Sequence, residues 1–443
     1  MPRRKKEQGK VSRDRKSLKH PVQILKGMHD VVYPEVAYFE QLRSVCQEVA
    51  SRYGYGFLEV PVLEHQDLFK KSVGGTTDIV QKEMYAFKTR GGDEVALRPE
   101  FTAGMVRAYI ENGMSNWPQP VKLWTWGPAF RYENPQAGRY RQFWQIDFEY
   151  FTSADPIVDV EVMQMGVDLL KSFGIKNVCL ELNSIGCWGC RDTYRKQLKN
   201  YYRSKKRKLC LDCKSRFDKN ILRLLDCKNE QCQPFKTDAP QMLDYLCKEC
   251  NAHFKKVLGY CEELGLGYVL NPFLVRGLDY YNRTVFEFFT QNSENEGGGA
   301  KLALGGGGRF DYSTQLLAGP ETPACGFALG VERIATLLGK DPKSISEPTV
   351  DAYFVQIGEP ARVRVLGLIE KFKRCRVRIG FDVGRESLRA QFKSADRFHA
   401  QFAVIIGEKE VFDNTFILRD MVSGIQETFP IDTLMDVLRD RVK

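Results

Sequence analysis

The sequence predicts an α+β protein: a largely antiparallel sheet with flanking helices, interrupted by a basic cysteine-rich segment and followed by a small α/β domain. Three observations lead there. Strand-like runs joined by hairpins fill the chain up to Phe151 before a long helical pattern begins. Eight of the thirteen cysteines then fall between Cys187 and Cys250. Beyond residue 350, short apolar runs alternate with helix-length segments, the pattern of a mostly parallel sheet.

Taken in order, residues 1–20 are basic and lack apolar periodicity, which predicts a disordered tail. From Glu35 to Tyr53, apolar side chains at Val36, Phe39, Leu42, Val45, Val49 and Tyr53 recur at helical spacing, and Gly54 supplies a stop. Strand-like runs follow at Phe57 to Leu63, Glu94 to Leu97, Val121 to Tyr132 and Arg141 to Phe151. A helix is expected from the Asp155-Pro156 cap to just before Gly174. After the cysteine segment the core resumes with Tyr268 to Leu270, a strand through Phe289, the glycine run Gly305 to Gly308, and a helix from about Phe327 to Leu338. The sheet domain is thus assigned to 21–186 and 257–338, the insertion to 187–256, and a Lys-, Ser-, Pro- and Glu-rich linker to 339–349. Residues 350–443 form the α/β domain, with strands expected at Ala352 to Ile357, Val377 to Phe381 and Phe402 to Ile406.

A hydrophobic content of 43% and a charged content of 28% are ordinary for a soluble globular protein. No apolar run reaches the ~18 residues of a membrane span, so no membrane association is expected. The basic N-terminus is not followed by an apolar segment, which argues against a secretory signal and for a cytoplasmic protein. In that reducing setting the cysteines read as thiols or metal ligands, not as disulfides. Positive charge is concentrated: nine Lys/Arg against two acids in residues 1–20, and eighteen against eight in 187–256, leaving the remainder net acidic. This is the distribution expected of a chain that grips a polyanion from outside an acidic core.

The chemistry lies in the strands. Period-two alternation puts Gln145, Asp147 and Glu149 on one face and Trp144, Ile146, Phe148 and Tyr150 on the other. Arg131 and Glu133 share a direction at the end of the preceding strand, and Asn134 to Arg139, with Pro135 and Gly138, reads as a hairpin loop. The segment Arg98-Pro99-Glu100-Phe101-Thr102, if extended, puts Arg98, Glu100 and Thr102 on one side. The run Leu274-Val275-Arg276-Gly277-Leu278-Asp279-Tyr280-Tyr281 adds a guanidinium ahead of two phenols. Guanidiniums suit polyphosphate and carboxylate oxygens, whereas carboxylates suit an ammonium or imidazole. A pocket holding both fits two ligands, one with phosphates and one with an amino group.

These stretches resemble the histidyl-tRNA synthetases, members of the class II aminoacyl-tRNA synthetases. Pro61 sits where the first class II motif has its proline, residues 121–151 resemble the ATP-binding second motif, and Gly326 to Arg333 resembles the third. Leu274–Tyr281 and Gly305–Asp311 resemble the two histidyl signatures, and the match runs from about Leu25 to the C-terminus. The resemblance implies a class II catalytic core, an anticodon-binding role for 350–443, a homodimer, and L-histidine and tRNA(His) as partners. It implies ATP with magnesium as the activating pair: histidyl-adenylate and pyrophosphate form first, and the histidyl group then passes to the 3′ end of the tRNA.

Residue by residue, the resemblance implies that Arg131 and Arg276 act at the α-phosphate and the substrate carboxylate. Arg139 and Arg333 would take the γ-phosphate end, and Glu133 would position the nucleotide. Glu100, Thr102 and Gln145 would bind the α-amino group, while Glu149 and Tyr281, beside Tyr280, would recognise the imidazole. Gly305 and Gly307 would let the backbone approach the adenylate, and Asn134 and Gln136 would face the tRNA acceptor end. The chain departs from the commonest bacterial pattern at Phe101, Trp144 and Asn134. Phe101 and Trp144 are expected to face away from the polar row, so they should change packing and leave activity intact. Residues near Gly384-Arg385-Glu386 are candidates for anticodon contact.

The cysteines form three CxxC pairs, Cys187/Cys190, Cys210/Cys213 and Cys247/Cys250, with Cys227/Cys232 as a wider pair. Two such pairs complete a tetrahedral four-thiolate zinc site, so eight ligands allow one or two structural zincs. Reduced, unligated thiols are the alternative, and three CxxC repeats in so short a segment count against it. Spacing along the chain favours joining the first pair with the second and the third with the fourth. The competing functional readings are a histidine-sensing or tRNA-binding paralogue without catalysis. Histidine-sensing relatives typically lose the arginine–tyrosine signature, the insert and the C-terminal domain, all of which stand here; a tRNA-binding sensor would show eroded motif arginines, yet Arg131, Arg276 and Arg333 stand.

Overall fold

The computed structural model describes residues 22–33, 35–136, 138–290, 302–338, 349–372 and 376–442. The expected tail (1–20) and all of the expected linker except Thr349 lie outside the described residues. Contacts divide the chain into two units, Met1–Val32 with Phe39–Lys340, and Tyr33–Tyr38 with Asp341–Lys443.

The first unit contains β1 (Gly56–Phe57), β2 (Leu63–His65), β3 (Ala86–Lys88), β4 (Glu94–Leu97), β5 (Val121–Phe130), β6 (Gln142–Phe151), β7 (Val178–Ser184), β8 (Tyr268–Leu270), β9 (Asn282–Thr290), β10 (Leu302–Arg309) and β11 (Ala324–Gly330). Eight strands form one sheet in the order β1-β5-β6-β11-β10-β9-β7-β8, and β2-β4-β3 form a small second sheet. The six inner strands of the large sheet pair antiparallel, whereas the edge strands β1 and β8 pair parallel to β5 and β7. The architecture is the α+β class read from the sequence.

Local chemistry explains the helices. Glu35–Tyr53 is helical as its periodicity requires, and Gly54 follows at φ +76°. The helix Pro156–Ser172 starts on the Asp155 carboxylate, which accepts from Ile157 N at 3.0 Å. That helix packs on β9 and β11 and buries Val158, Val160, Val162, Met163 and Leu170. On the inner side of the sheet Phe148 stacks on Trp124 and Phe327, with ring centroids 5.8 and 5.2 Å apart. The expected apolar face of β6 is thus core.

Three expectations are corrected. The run Phe57 to Leu63 is not one strand: β1 joins the large sheet and β2 the small one. Phe327 belongs to β11 and the helix starts at Val331, because alternation carries through to Gly330 before the chain turns. The segment 98–102 is not one extended run: β4 ends at Leu97, Phe101 already has helical angles (φ −101°, ψ −30°), and the helix Thr102–Glu111 follows.

The second unit is a sheet of β12 (Ala352–Gln356), β13 (Ile379–Phe381), β14 (Phe402–Ile406), β15 (Thr415–Asp420) and β16 (Gln426–Pro430), ordered β13-β12-β14-β15-β16. The three expected strands pair parallel, and β15 and β16 add an antiparallel hairpin that the sequence reading missed. Polar residues dominate β16, with an exposed pattern interrupted only at Phe429, so it carries little apolar signal. Near the anticodon candidates, Arg385 Nε lies 3.0 Å from Asp382 Oδ2 and Arg362 Nη1 3.5 Å from Glu386 Oε1.

Candidate functional site

Two cavities of about 140 and 130 Å³ lie side by side on the polar face of the large sheet and share Arg131, Gln145, Arg276 and Ala328. The first is cationic. Arg131, Arg139, Arg276 and Arg333 line it together with Glu133 and Glu332. Arg131 is held by Nε donating to Pro99 O at 2.9 Å, and its guanidinium lies 5.2 Å from the centre of the Phe143 ring. Glu133 stands between two cations, 3.9 Å from Arg131 Nη1 and 3.9 Å from Arg139 Nη1. Arg333 donates to Ala303 O at 3.0 Å. Burial first, then repulsion from Arg139 and Arg131, holds the Arg333 guanidinium below its ordinary pKa. A cleft whose cations repel one another is suited to a polyanion.

The second cavity is acidic and buried. Glu100, Asp147 and Glu149 line it, none more than 2% exposed, with Thr102, Gln145, Tyr280 and Tyr281. Thr102 Oγ1 donates to Glu149 Oε1 at 2.6 Å, and Ala103 N donates to Glu100 Oε1 at 2.9 Å from the first turn of its helix. Gln145 Nε2 donates to Asp147 Oδ1 at 3.3 Å. Asp147 Oδ2, Glu149 Oε2 and Gln145 Oε1 are buried acceptors without a hydrogen-bond partner among the described residues. Such acceptors fit a ligand that brings N–H donors and positive charge. Burial pushes all three carboxyls up; the Glu100 charge adds to the shift at Asp147, and the Asp147 charge adds to that at Glu149.

Two glycines make room. Gly326 lies opposite Glu149 in the β6–β11 register, and a Cβ there would overlap the Glu149 carboxylate. A Cβ at Gly306 would stand 2.8 Å from Arg276 Nη1, so Arg276 lies across the sheet only because that position is bare. Arg276 Nη1 also meets Glu287 Oε1 at 3.1 Å.

The structure therefore gathers Arg131, Glu133, Arg139, Arg276, Arg333 and Gly305 at the first cavity, and Glu100, Thr102, Gln145, Glu149, Arg276, Tyr280 and Tyr281 at the second, where Arg131 also reaches. Gly307 lines neither; Gly306, paired with Glu287 in the β9–β10 register, lines the second cavity instead. Arg98 is turned away: it is 2% exposed and donates to Pro128 O and Val60 O, tying the loop to the sheet. Asn134 and Gln136 are exposed in the hairpin loop, where Gln136 bridges to Arg139. Phe101 is wholly buried among Val60, Met105 and Ala129, and Trp144 packs by Phe39 and Trp126. Asp147 and Glu287 carry site chemistry that the sequence reading left without a role. Alternation marked Asp147, but nothing local marks Glu287 as the partner of Arg276.

The eight insert cysteines form two groups, Cys187/Cys190/Cys247/Cys250 and Cys210/Cys213/Cys227/Cys232, the sulfurs of each group lying within 4.8 Å of one another. The expected pairing of neighbours is overturned: the first pair meets the fourth and the second meets the third. The insert leaves the core at Cys187 and returns at Cys247, so its outer pairs close the neck and its inner pairs meet within. Sulfurs at ~2.3 Å from a shared tetrahedral ion lie about 3.8 Å apart; Cys187–Cys190 and Cys210–Cys227 measure 3.6 and 3.9 Å. Backbone N–H groups of Cys247 and Cys210 donate to Cys190 Sγ and Cys232 Sγ at 3.0 and 3.3 Å. The thiols of Cys187 and Cys210 lie below their ordinary range: burial works against this, and hydrogen bonds within each group outweigh it. Both groups fit a metal ion.

The histidyl-tRNA synthetase family profile matches residues 27–334, and an anticodon binding domain profile matches 351–441. A histidine–tRNA ligase of Pelotomaculum thermopropionicum is 43% identical over 94% of this chain and 97% of its own length. One of Desulforamulus reducens is 42% identical over 94% and 98%. The crystal structure of apo S. aureus histidyl-tRNA synthetase superposes with a TM-score of 0.76 at 32% identity, covering 95% of this chain and 100% of that one. Fold, motif residues and near full-length relatedness agree, and the chain belongs to the histidyl-tRNA synthetase family.

Proposed function

We propose that the chain is a histidine–tRNA ligase, which activates L-histidine with ATP and transfers it to tRNA(His). The observation that carries this reading is the joining of a cationic cleft to a buried acidic pocket through Arg131, Arg276 and Gln145. ATP occupies the first cavity, with Arg139 and Arg333 toward the γ-phosphate and Glu133 positioning the nucleotide. Histidine occupies the second, its ammonium on Glu100, Thr102 and Gln145 and its imidazole between Glu149 and Tyr281. The histidine carboxylate then attacks the α-phosphorus in line, pyrophosphate leaves, and Arg131 and Arg276 stabilise the charge that gathers on the phosphorus oxygens. The terminal ribose hydroxyl of the tRNA attacks the activated carbonyl, and AMP leaves. No protein nucleophile is required. Magnesium would neutralise phosphate charge, with Glu133 and Glu332 the carboxylates at hand on the cleft wall.

The rest of the chain fits this role. Residues 350–443 would contact the anticodon, and the basic insert 187–256 and the loop with Asn134 and Gln136 would contact the tRNA. Among the described residues no helix is long and apolar enough to cross a membrane. The enzyme would act as a cytoplasmic homodimer. The two cysteine groups would hold structural zinc, and metal analysis of unchelated protein is expected to find two zinc ions per chain.

Histidine-dependent ATP–pyrophosphate exchange tests the assignment. Exchange with histidine and with no other amino acid is expected, and exchange driven by another amino acid would overturn it. The raised carboxyls make a second prediction. A cationic ligand favours their ionised forms, so histidine binding should release protons and strengthen as pH rises through the raised values. For the empty protein the sign is opposite: stability from these groups is present in acid and lost as pH rises through their folded-state values. Calorimetric titration in two buffers of different ionisation enthalpy measures the release. It should be smaller in Glu149→Gln, and net proton uptake by the wild type would refute the assignment of these carboxyls.

A further inference from the structure

The insert contacts the segments that carry pocket residues at two points, and each point is tied to one cysteine group. Arg191 follows Cys190 directly. Its guanidinium is buried, and Nη1 donates to Asp279 O at 3.1 Å and Tyr281 O at 2.7 Å, the backbone of the segment that carries Tyr280 and Tyr281. From the inner cysteine group, the helix Leu211–Lys219 begins on Cys210 and carries Arg216, whose Nη2 donates to Asp78 Oδ2 at 2.8 Å. Arg223 adds a second cation 3.6 Å from the same oxygen, and the Asp78 carboxyl, though partly buried, is held below its ordinary pKa by these arginines. Ile79, the next residue, lines the pocket. Asn220 Nδ2 donates to Asp279 Oδ1 at 3.1 Å, and Asp279 N donates in turn to Val73 O at 3.0 Å. The segments 73–79 and 277–281 are thus pinned to each other and to the insert.

Neither segment has long regular structure of its own: residues 277–281 lie between elements, and 73–79 joins the ends of two short helical turns, 70–74 and 79–83. In the insert the cysteines are themselves part of the apolar core, packed beside Tyr194, Leu198, Phe217 and Leu225. Cross-links at the two cysteine groups would therefore decide how rigidly Arg191, Arg216 and Asn220 are presented.

We propose that the cysteine-rich insert is a metal-set clamp on the histidine pocket, in which ions at the two four-cysteine groups fix Arg191, Arg216 and Asn220 against the segments bearing Tyr281 and Ile79. The proposal rests on the zinc reading above and extends it from folding of the insert to selection of the amino acid. Arg191 and Arg216 are positioning residues, since neither lines the pocket.

The test uses full-length enzyme without tRNA, so that any contact of the insert with tRNA plays no part. Cobalt(II) is exchanged into the protein, and thiolate-to-metal absorption reports on site occupancy. Histidine affinity is measured by equilibrium dialysis, and KM values for histidine and ATP by pyrophosphate exchange. Arg191→Gln, with cobalt absorption unchanged, is expected to raise the histidine Kd and KM about tenfold while leaving the KM for ATP unchanged. Arg191→Lys, which keeps the charge, should recover part of that loss. Removing the metal with a thiol-reactive mercurial and a chelator should raise the histidine Kd in the same way. Full metal occupancy with an unchanged histidine Kd in Arg191→Gln and in Arg216→Gln would overturn the clamp, as would metal removal without effect on it. Protein that takes up neither zinc nor cobalt would instead overturn the zinc reading, and the metal-set clamp with it.

Discussion

Replacing Arg276 by alanine is expected to slow histidine-dependent ATP–pyrophosphate exchange by about 10²–10³-fold, the range seen when one preorganised donor is removed from a developing negative charge. Arg276, like Arg131, touches both cavities; it lies over a bare glycine, and Glu287 fixes its orientation from the neighbouring strand. Its charge is secure: burial pulls the guanidinium down, but its neighbours Tyr281 and Glu287 outweigh that and hold its pKa above the ordinary value. The loss should appear chiefly in kcat, because the charge on the phosphorus oxygens is largest in the transition state. Arg276→Lys should recover only part of it, since an ammonium lacks the planar fork that spans two oxygens. Exchange by Arg276→Ala within about threefold of wild type would remove Arg276 from the catalytic set.

The largest stability effect is expected away from the site. Arg309 is wholly buried, with Nε and Nη2 donating to Asp159 Oδ1 at 2.9 and 2.5 Å and Nη1 donating to Ser153 O and to Asp311 Oδ1 at 2.7 and 3.0 Å. Asp159, also wholly buried, accepts from Thr284 Oγ1 at 2.6 Å. His253 stands 3.5 Å away, but burial lowers its pKa to about 4, so it is neutral near pH 7 and supplies no charge. Charge compensation at Asp159 therefore falls to Arg309, and Arg309→Met should destabilise the unit by about 3–5 kcal/mol by leaving a buried carboxylate alone. Pairing it with Asp159→Leu should restore part of that stability, because a well-packed apolar pair removes the uncompensated charge. All five tryptophans lie between Trp117 and Trp188, so fluorescence-monitored urea unfolding reads this unit without the other. A loss below about 1 kcal/mol would mean that water or another group reaches Asp159.

Legibility followed the range of the interaction. Gln145, Asp147 and Glu149 could be placed on one face from alternation alone, because strand geometry leaves no other choice within a run of ten residues. The helix cap at Asp155-Pro156 and the CxxC pairs were equally local signals. Arg98 misled for the same reason: its neighbours suggested an extended segment, and only the helix starting at Thr102 and the carbonyls of Val60 and Pro128 turn it away from the site.

By itself, the sequence determined the α+β class, the polar row of β6, the arginine–tyrosine segment, the metal-competent cysteines and the family resemblance, since each is written within one element or one short motif. The tertiary structure alone decided which cysteines meet, which acid partners Arg276, what neutralises Asp159, and that Arg191 and Arg216 of the insert bond to the segments bearing Tyr281 and Ile79. Each of those pairs residues far apart in the chain, and their meeting depends on how the strands and the insert return in space, which no local periodicity encodes.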